Sequence, residues 1–171
     1  MKFYKLMVLG VLLYSSHLQA DPVVKINLRL KAQIVESPCV VASQSQNMRV
    51  NLGTWATKNM KELGDRTRAM PFSIHLLDCN TNSVKVSFAG PKDSTNSNYL
   101  ALDASSGAKN VAIEILDKNR DLLSMGDYAP VENLKNMKTA KIDFFANYIA
   151  TRANVTAGKA NSSATFVLTF D

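Results

Sequence analysis

The chain has 171 residues with 20 Lys and Arg against 14 Asp and Glu, a formal net charge of +6. The basic residues are spread along the sequence without a block and without interleaved aromatics, which gives no support to a nucleic-acid-binding surface. Its 2 cysteines and 2 histidines lack any zinc-ligand spacing, and the separation of the cysteines excludes a CxxC redox motif.

Residues 1 to 20 read as a secretory signal peptide. Lys2 and Lys5 form a positive start, Leu6 to Tyr14 an apolar centre, and Ser15 to Ala20 a more polar stretch ending on a small residue. The apolar run is too short to span a bilayer. Cleavage after Ala20 removes two lysines and no acids, which leaves a net charge of about +4 on residues 21 to 171, a length typical of one domain. In an exported chain an even cysteine count argues for one disulfide, Cys39 to Cys79, against the alternative of two free thiols.

The first ordered element is VVKINLRLKA, residues 23 to 32. Val24, Ile26, Leu28 and Leu30 fall on one face and Lys25, Asn27, Arg29 and Lys31 on the other, the period-two pattern of a half-buried strand. The same alternation predicts strands in RVNLG (49 to 53), PFSIHLLDC (71 to 79), SVKVSFAG (83 to 90), NVAIEILD (110 to 117), KIDFFANYIA (141 to 150) and ATFVLTF (164 to 170). Between them, KNMKELGDRTRAM (58 to 70), GPKDSTNSN (90 to 98), DASSGAKN (103 to 110), DKNRD (117 to 121) and TAGKANSS (156 to 163) read as turns and loops, the first with room for a short helical turn before Pro71. Short strands punctuated by turns over this length point to an all-β sandwich of immunoglobulin-like dimensions. One feature is odd for a closed sandwich: the last strand runs to Asp171 with no later segment to pair with it, and the first sits on a terminus. A bare edge and a loose apolar strand are liabilities in a monomer and assets in a polymer built by strand exchange.

Catalytic signals are weak. His75 lies between Ile74 and Leu76 on the opposite face of a strand, where a surface or cross-strand role outweighs general-base work. There is no GxSxG elbow, HExxH helix or Gly-rich phosphate loop. The reading is therefore a non-enzyme with no catalytic residue, metal ligand or cofactor. Trp55, the single tryptophan, follows NLGT; packing beside a strand end outweighs stacking on a sugar.

Taken together, VESPCVV around Cys39, VNLGTW at 50 to 55, PFSIHLLDC ending at Cys79, SVKVSFAG, LALDASSGAKNVAIEILD, KIDFFANYIA and the closing GKANSSATFVLTFD resemble the type 1 fimbrial pilin family of chaperone-usher fimbriae over essentially all of residues 21 to 171. The resemblance implies an incomplete immunoglobulin-like β-sandwich that lacks its final strand. A periplasmic chaperone, and then a neighbouring subunit at the outer-membrane usher, would fill the groove that this leaves. It also implies a division into an N-terminal extension, residues 21 to 31, whose Val24, Ile26, Leu28 and Leu30 enter a neighbour's groove, and a pilin domain over 32 to 171. The groove and chaperone-binding edge would be bordered by Ala164, Phe166, Leu168, Phe170 and Asp171. Two departures stand out: residues 21 to 32 contain no glycine, a feature closer to minor or adaptor subunits, and the family's penultimate tyrosine is Phe170 here. The expected function is a structural subunit exported through the periplasm to the surface fimbrium of a Gram-negative bacterium, supporting adhesion, without nucleic-acid or small-molecule partners. The alternative is a stand-alone secreted glycan-binding sandwich whose residues 23 to 31 fold back into its own sheet.

Overall fold

The computed structural model describes residues 38–171. The signal peptide and the strand expected over 23 to 32 lie outside the described residues.

Among the described residues, seven strands form two antiparallel sheets. Sheet 1 contains β1 (Val40–Val41), β2 (Met70–Leu77), β6 (Ala140–Ala150) and β4 (Val111–Leu116) in the order β1-β2-β6-β4. Sheet 2 contains β5 (Glu132–Asn133), β3 (Ser83–Ala89) and β7 (Thr165–Phe170) in the order β5-β3-β7. The inward residues of both sheets supply one core. Ile74 and Leu76 of β2, Val84, Val86 and Phe88 of β3, Ile113 and Ile115 of β4, and Ile142 and Phe144 of β6 are all buried in it. At its centre Phe144 lies edge-on to Phe88, with ring centroids 5.1 Å apart, and is stacked with Phe72 at 5.6 Å, geometries that suit the aromatic quadrupole.

Cys39 and Cys79 form a disulfide with Cα atoms 4.1 Å apart. It joins the residue before β1 to the end of β2, next to the Val40–Leu77 pair. In the chain-entropy picture, closing a loop of that length stabilises the fold by roughly 4 kcal/mol.

The strands expected at 71 to 79, 83 to 90, 110 to 117, 141 to 150 and 164 to 170 appear as β2, β3, β4, β6 and β7, with ends shifted by one or two residues: β2 and β6 start one residue early, and β2, β3, β4 and β7 lose one or two residues at an end. The strand expected over 49 to 53 is not formed. Val50 and Leu52 do turn toward the core while Arg49, Asn51 and Gly53 are exposed, so the side-chain alternation holds. The hydrogen-bonded ladder is what is missing, because the segment has no partner strand among the described residues. Gly53 closes the segment at φ 81°, a left-handed conformation that costs glycine little. A short 3-10 turn, Thr57–Asn59, occupies the loop where a helical turn had room, and a four-residue helix, Ser43–Gln46, lies where none was expected.

Sheet 1 also carries a polar cluster on its outer side. Glu114, opposite Asn147 in the β4–β6 register, is 1% exposed. Arg66 donates two hydrogen bonds to its carboxylate, at 2.8 and 3.1 Å, and Asn147 Nδ2 donates a third at 3.0 Å. The Glu114 hydrogen bond holds the Arg66 guanidinium protonated more firmly than usual.

Candidate functional site

β7 is the edge of sheet 2: it pairs with β3 from Val84↔Phe170 to Ala89↔Thr165, and its other edge has no partner among the described residues. Its alternation decides which side chains meet the core. Phe166, Leu168 and Phe170 are half-buried and pack against the main cluster, while Thr165 and Val167 are exposed. Ala164 precedes the strand and is exposed.

Beside the start of this edge is a cavity of about 830 Å³. It is walled by residues 45 to 53, by residues 160 to 166, and by core side chains including Phe72, Phe88, Leu100, Ile113 and Ile115. The wall that should have carried a strand, 49 to 53, is therefore a wall of this opening. Unpaired main chain and an apolar floor together are the two requirements for a site that takes an extended segment: hydrogen bonds along the edge and pockets for alternate side chains.

The 160 to 166 wall is held by hydrogen bonds to the 101 to 108 loop. Asp103 N–H donates to Asn161 C=O at 2.8 Å, Ser106 and Asn161 exchange two bonds of 3.0 Å, and Ser162 Oγ donates to Ala101 C=O at 2.5 Å. A Cβ at Gly158 would collide with the backbone of Gly107 and Ala108, so only glycine permits these loops to cross so closely. Tyr148 of β6 donates its hydroxyl to Ala160 C=O at 2.7 Å, and burial pushes its pKa up. The ring lines the cavity and the hydroxyl ties down its rim.

The end of β7 is fastened as well. Asp171 N–H reaches Ser83 C=O at 3.3 Å, its own carbonyl accepts from Thr81 Oγ1 at 2.8 Å, and its side-chain carboxylate pairs with Lys85 Nζ at 2.7 Å. That hydrogen bond raises the Lys85 pKa. Of the residues expected at the groove, Ala164 and Phe166 line the cavity, whereas Leu168, Phe170 and Asp171 continue the same edge beyond it. Val24, Ile26, Leu28 and Leu30 lie outside the described residues. Sequence reasoning missed Tyr148, Asp103 and residues 45 to 48 as walls of the opening; the alternation of VNLGTW was the one signal pointing toward this side.

The two residues weighed for other chemistry have structural partners. His75 faces Lys141 across the β2–β6 register, and its backbone N–H donates to Ser45 Oγ at 2.9 Å. The Trp55 indole N–H donates to Leu52 C=O at 2.6 Å, and the indole lies beside Gly53.

The family model for fimbrial proteins matches residues 28–171. This chain belongs to the fimbrial protein family. It is 34% identical over 165 residues to the fimbrial-like protein FimF of Salmonella typhimurium, covering 95% of each chain. It is 36% identical over 146 residues to the type-1 fimbrial protein A chain of Escherichia coli, covering 81% of this chain and 79% of that one. Among solved structures, the Burkholderia pseudomallei antigen and type I fimbria protein superposes with a TM-score of 0.63 at 29% identity, covering 80% of this chain and 91% of that one. The protein is a fimbrial subunit, a component of the surface fimbria of a Gram-negative cell.

Proposed function

We propose that this fimbrial subunit is completed by a strand supplied from another chain, which adds to the free edge of β7 and fills the cavity beside it. The observation that carries the reading is the coincidence of the two: an edge strand with Phe166, Leu168 and Phe170 turned inward and an opening of about 830 Å³ at its start. Residues 21 to 31, left after removal of 1 to 20, supply the reciprocal element to a neighbour, and 32 to 171 form the pilin domain. A periplasmic chaperone covers the same edge before assembly, and the outer-membrane usher is where the exchange takes place. The role is structural and involves no catalytic residue.

The magnitudes suit it. Burying Val24, Ile26, Leu28 and Leu30 in a partner contributes roughly 6 to 12 kcal/mol in gross transfer terms, an upper estimate, comparable to the whole stability of an ordinary domain at about 5 to 15 kcal/mol. A subunit without its donated strand is marginal and a completed one durable.

The test moves the strand. A chain lacking residues 21 to 31 and carrying a flexible linker and a donor segment after Asp171 converts the exchange into an intramolecular event at an effective concentration of about millimolar. With a compatible segment, drawn from this chain or from another subunit of its fimbria, it is expected to give a monomer far more resistant to denaturant than the parent. An aspartate at the central apolar position of the segment is expected to abolish the gain by burying an unpaired charge. The reading is lost if no donor segment stabilises the truncated chain while the mature chain is already a stable monomer.

A further inference from the structure

Among the described residues that line the cavity beside β7, only Arg49 and Asp103 are charged. They have opposite signs and belong to different walls: Arg49 lies in the 45 to 53 segment, and Asp103 is bonded through its main chain to Asn161 of the 160 to 166 wall. Arg49 is exposed and Asp103 half-buried. Among the described residues, neither side chain has an ion-pair or hydrogen-bond partner, in contrast to Arg66, Lys85, Lys118 and Lys141. An apolar opening bordered by one free cation and one free carboxylate can discriminate among strands by charge as well as by shape.

We infer that Arg49 and Asp103 read the polar face of the incoming strand, and that the groove favours a donor bearing a carboxylate on that face over residues 21 to 31 of another copy of this chain. The inference rests on the strand-acceptor reading above. When alternate side chains of an inserted strand enter the groove, the others project past its rims. In residues 21 to 31 the projecting set is Lys25, Asn27, Arg29 and Lys31. That set offers a cation to Asp103 and nothing acidic to Arg49; the only acid, Asp21, stands ahead of the alternating stretch. Like charges facing one another across strands are unfavourable and opposite charges favourable. For exposed pairs the effect is small, a factor of about two to five in a binding constant. It therefore biases which subunit follows which, and leaves the fold untouched. The favoured neighbour is a different subunit, with an alternating apolar strand that carries both a cation and an acid on its polar side.

Fluorescent peptides with the sequence of residues 21 to 31, and with Lys25→Glu, Arg29→Glu or Lys31→Glu, are offered separately to the full chain, and capture is followed by anisotropy. At low salt at least one acidic peptide is expected to be captured about two- to five-fold better than the unaltered sequence. The advantage should reverse in the Arg49→Glu variant and vanish near 1 M salt, where the Debye length falls to about 3 Å. Asp103→Asn is expected to weaken capture of the unaltered peptide by a similar factor. Equal capture of all four peptides, or a preference that Arg49→Glu leaves unchanged, overturns the charge-reading role while the strand acceptor stands. No capture of any peptide overturns both.

Discussion

β6 and β7 are written in the same alphabet and end in different situations. Ile142, Phe144 and Ala146 alternate in one as Phe166, Leu168 and Phe170 do in the other, and both sets face the core. β6 pairs with β2 on one edge and β4 on the other, and its inward residues are fully buried. β7 has β3 on one edge and no partner on the other among the described residues, with the opening at its start, and none of its residues is fully buried. Alternation thus specifies which face turns inward and says nothing about how many edges are satisfied. The same side chain is worth different amounts in the two strands, and the deficit in β7 is the capacity available to a partner.

The largest effect should separate the two strands directly. Phe144→Ala removes a ring that is 1% exposed, stacked on Phe72 and edge-on to Phe88, and is expected to cost about 3 to 5 kcal/mol. Phe166→Ala, at the half-buried edge, is expected to cost the isolated chain about 1 kcal/mol, since only part of its transfer energy is realised there. Urea titrations of the two variants measure the contrast, and equal losses would mean that β7 is already as enclosed as β6. In the presence of a captured donor strand the Phe166→Ala penalty should grow.

A smaller effect tests the outer side of sheet 1, whose buried Glu114 carboxylate has no counterpart in the described ion pairs of sheet 2, Lys85–Asp171 and Lys118–Glu132, which are more exposed. Arg66→Ala leaves the Glu114 carboxylate, 2% exposed at its side chain, with Asn147 as its remaining side-chain partner, and is expected to cost about 2 to 3 kcal/mol. The double change Arg66→Met with Glu114→Gln should recover part of the loss, measured by the same titration, because it removes the buried charge along with its partner.

The smallest effect concerns pH. Lys141 and, to a lesser extent, the Ser73 hydroxyl hold the Asp143 carboxyl below the usual carboxylate range. A folded-state pKa below the unfolded one, about 3.9, adds stability that is present above that value and lost as pH falls through the folded pKa. The side chains of Lys141 and Asp143 are 57% and 48% exposed, so solvent screening limits the contribution to less than about 1 kcal/mol. Asp143→Asn should therefore be slightly less stable than the parent at neutral pH, with the gap closing below about pH 4; a gap that widened on acidification would contradict the pairing.

Most strands were legible because period-two patterning survives any tertiary context: Ile74 and Leu76, Val84 and Val86, and Ile142 and Phe144 all point where the sequence says they should. Burial of the polar partners was not legible. Glu114 alternates with the inward residues of β4, which predicts a solvent-facing side chain, yet Arg66, from a loop far away in sequence, forms a β-bridge to Ile149 of β6 and covers it. Val50 and Leu52 gave the right orientation and the wrong secondary structure, since a ladder needs a second strand and local sequence does not report one. The helix at Ser43–Gln46 had no capping hydrogen bond to announce it. The edge proposed as the acceptor was named from the resemblance alone. The two charges that line the cavity beside it could not be named from it, because Arg49 and Asp103 are brought to one opening only through the folding of separate loops.

If residues 21 to 31 link the fibre as proposed above, the disulfide has a mechanical consequence. Tension entering the chain ahead of Cys39 passes through the sulfur bridge to Cys79 and, a few residues later, into β3 and its ladder with β7. The intervening stretch, including residues 45 to 53 that wall the opening, lies inside the closed loop and off the covalent line of force. A pulled filament would then load the strands that hold the neighbour's segment, while the wall that shapes its socket stays slack.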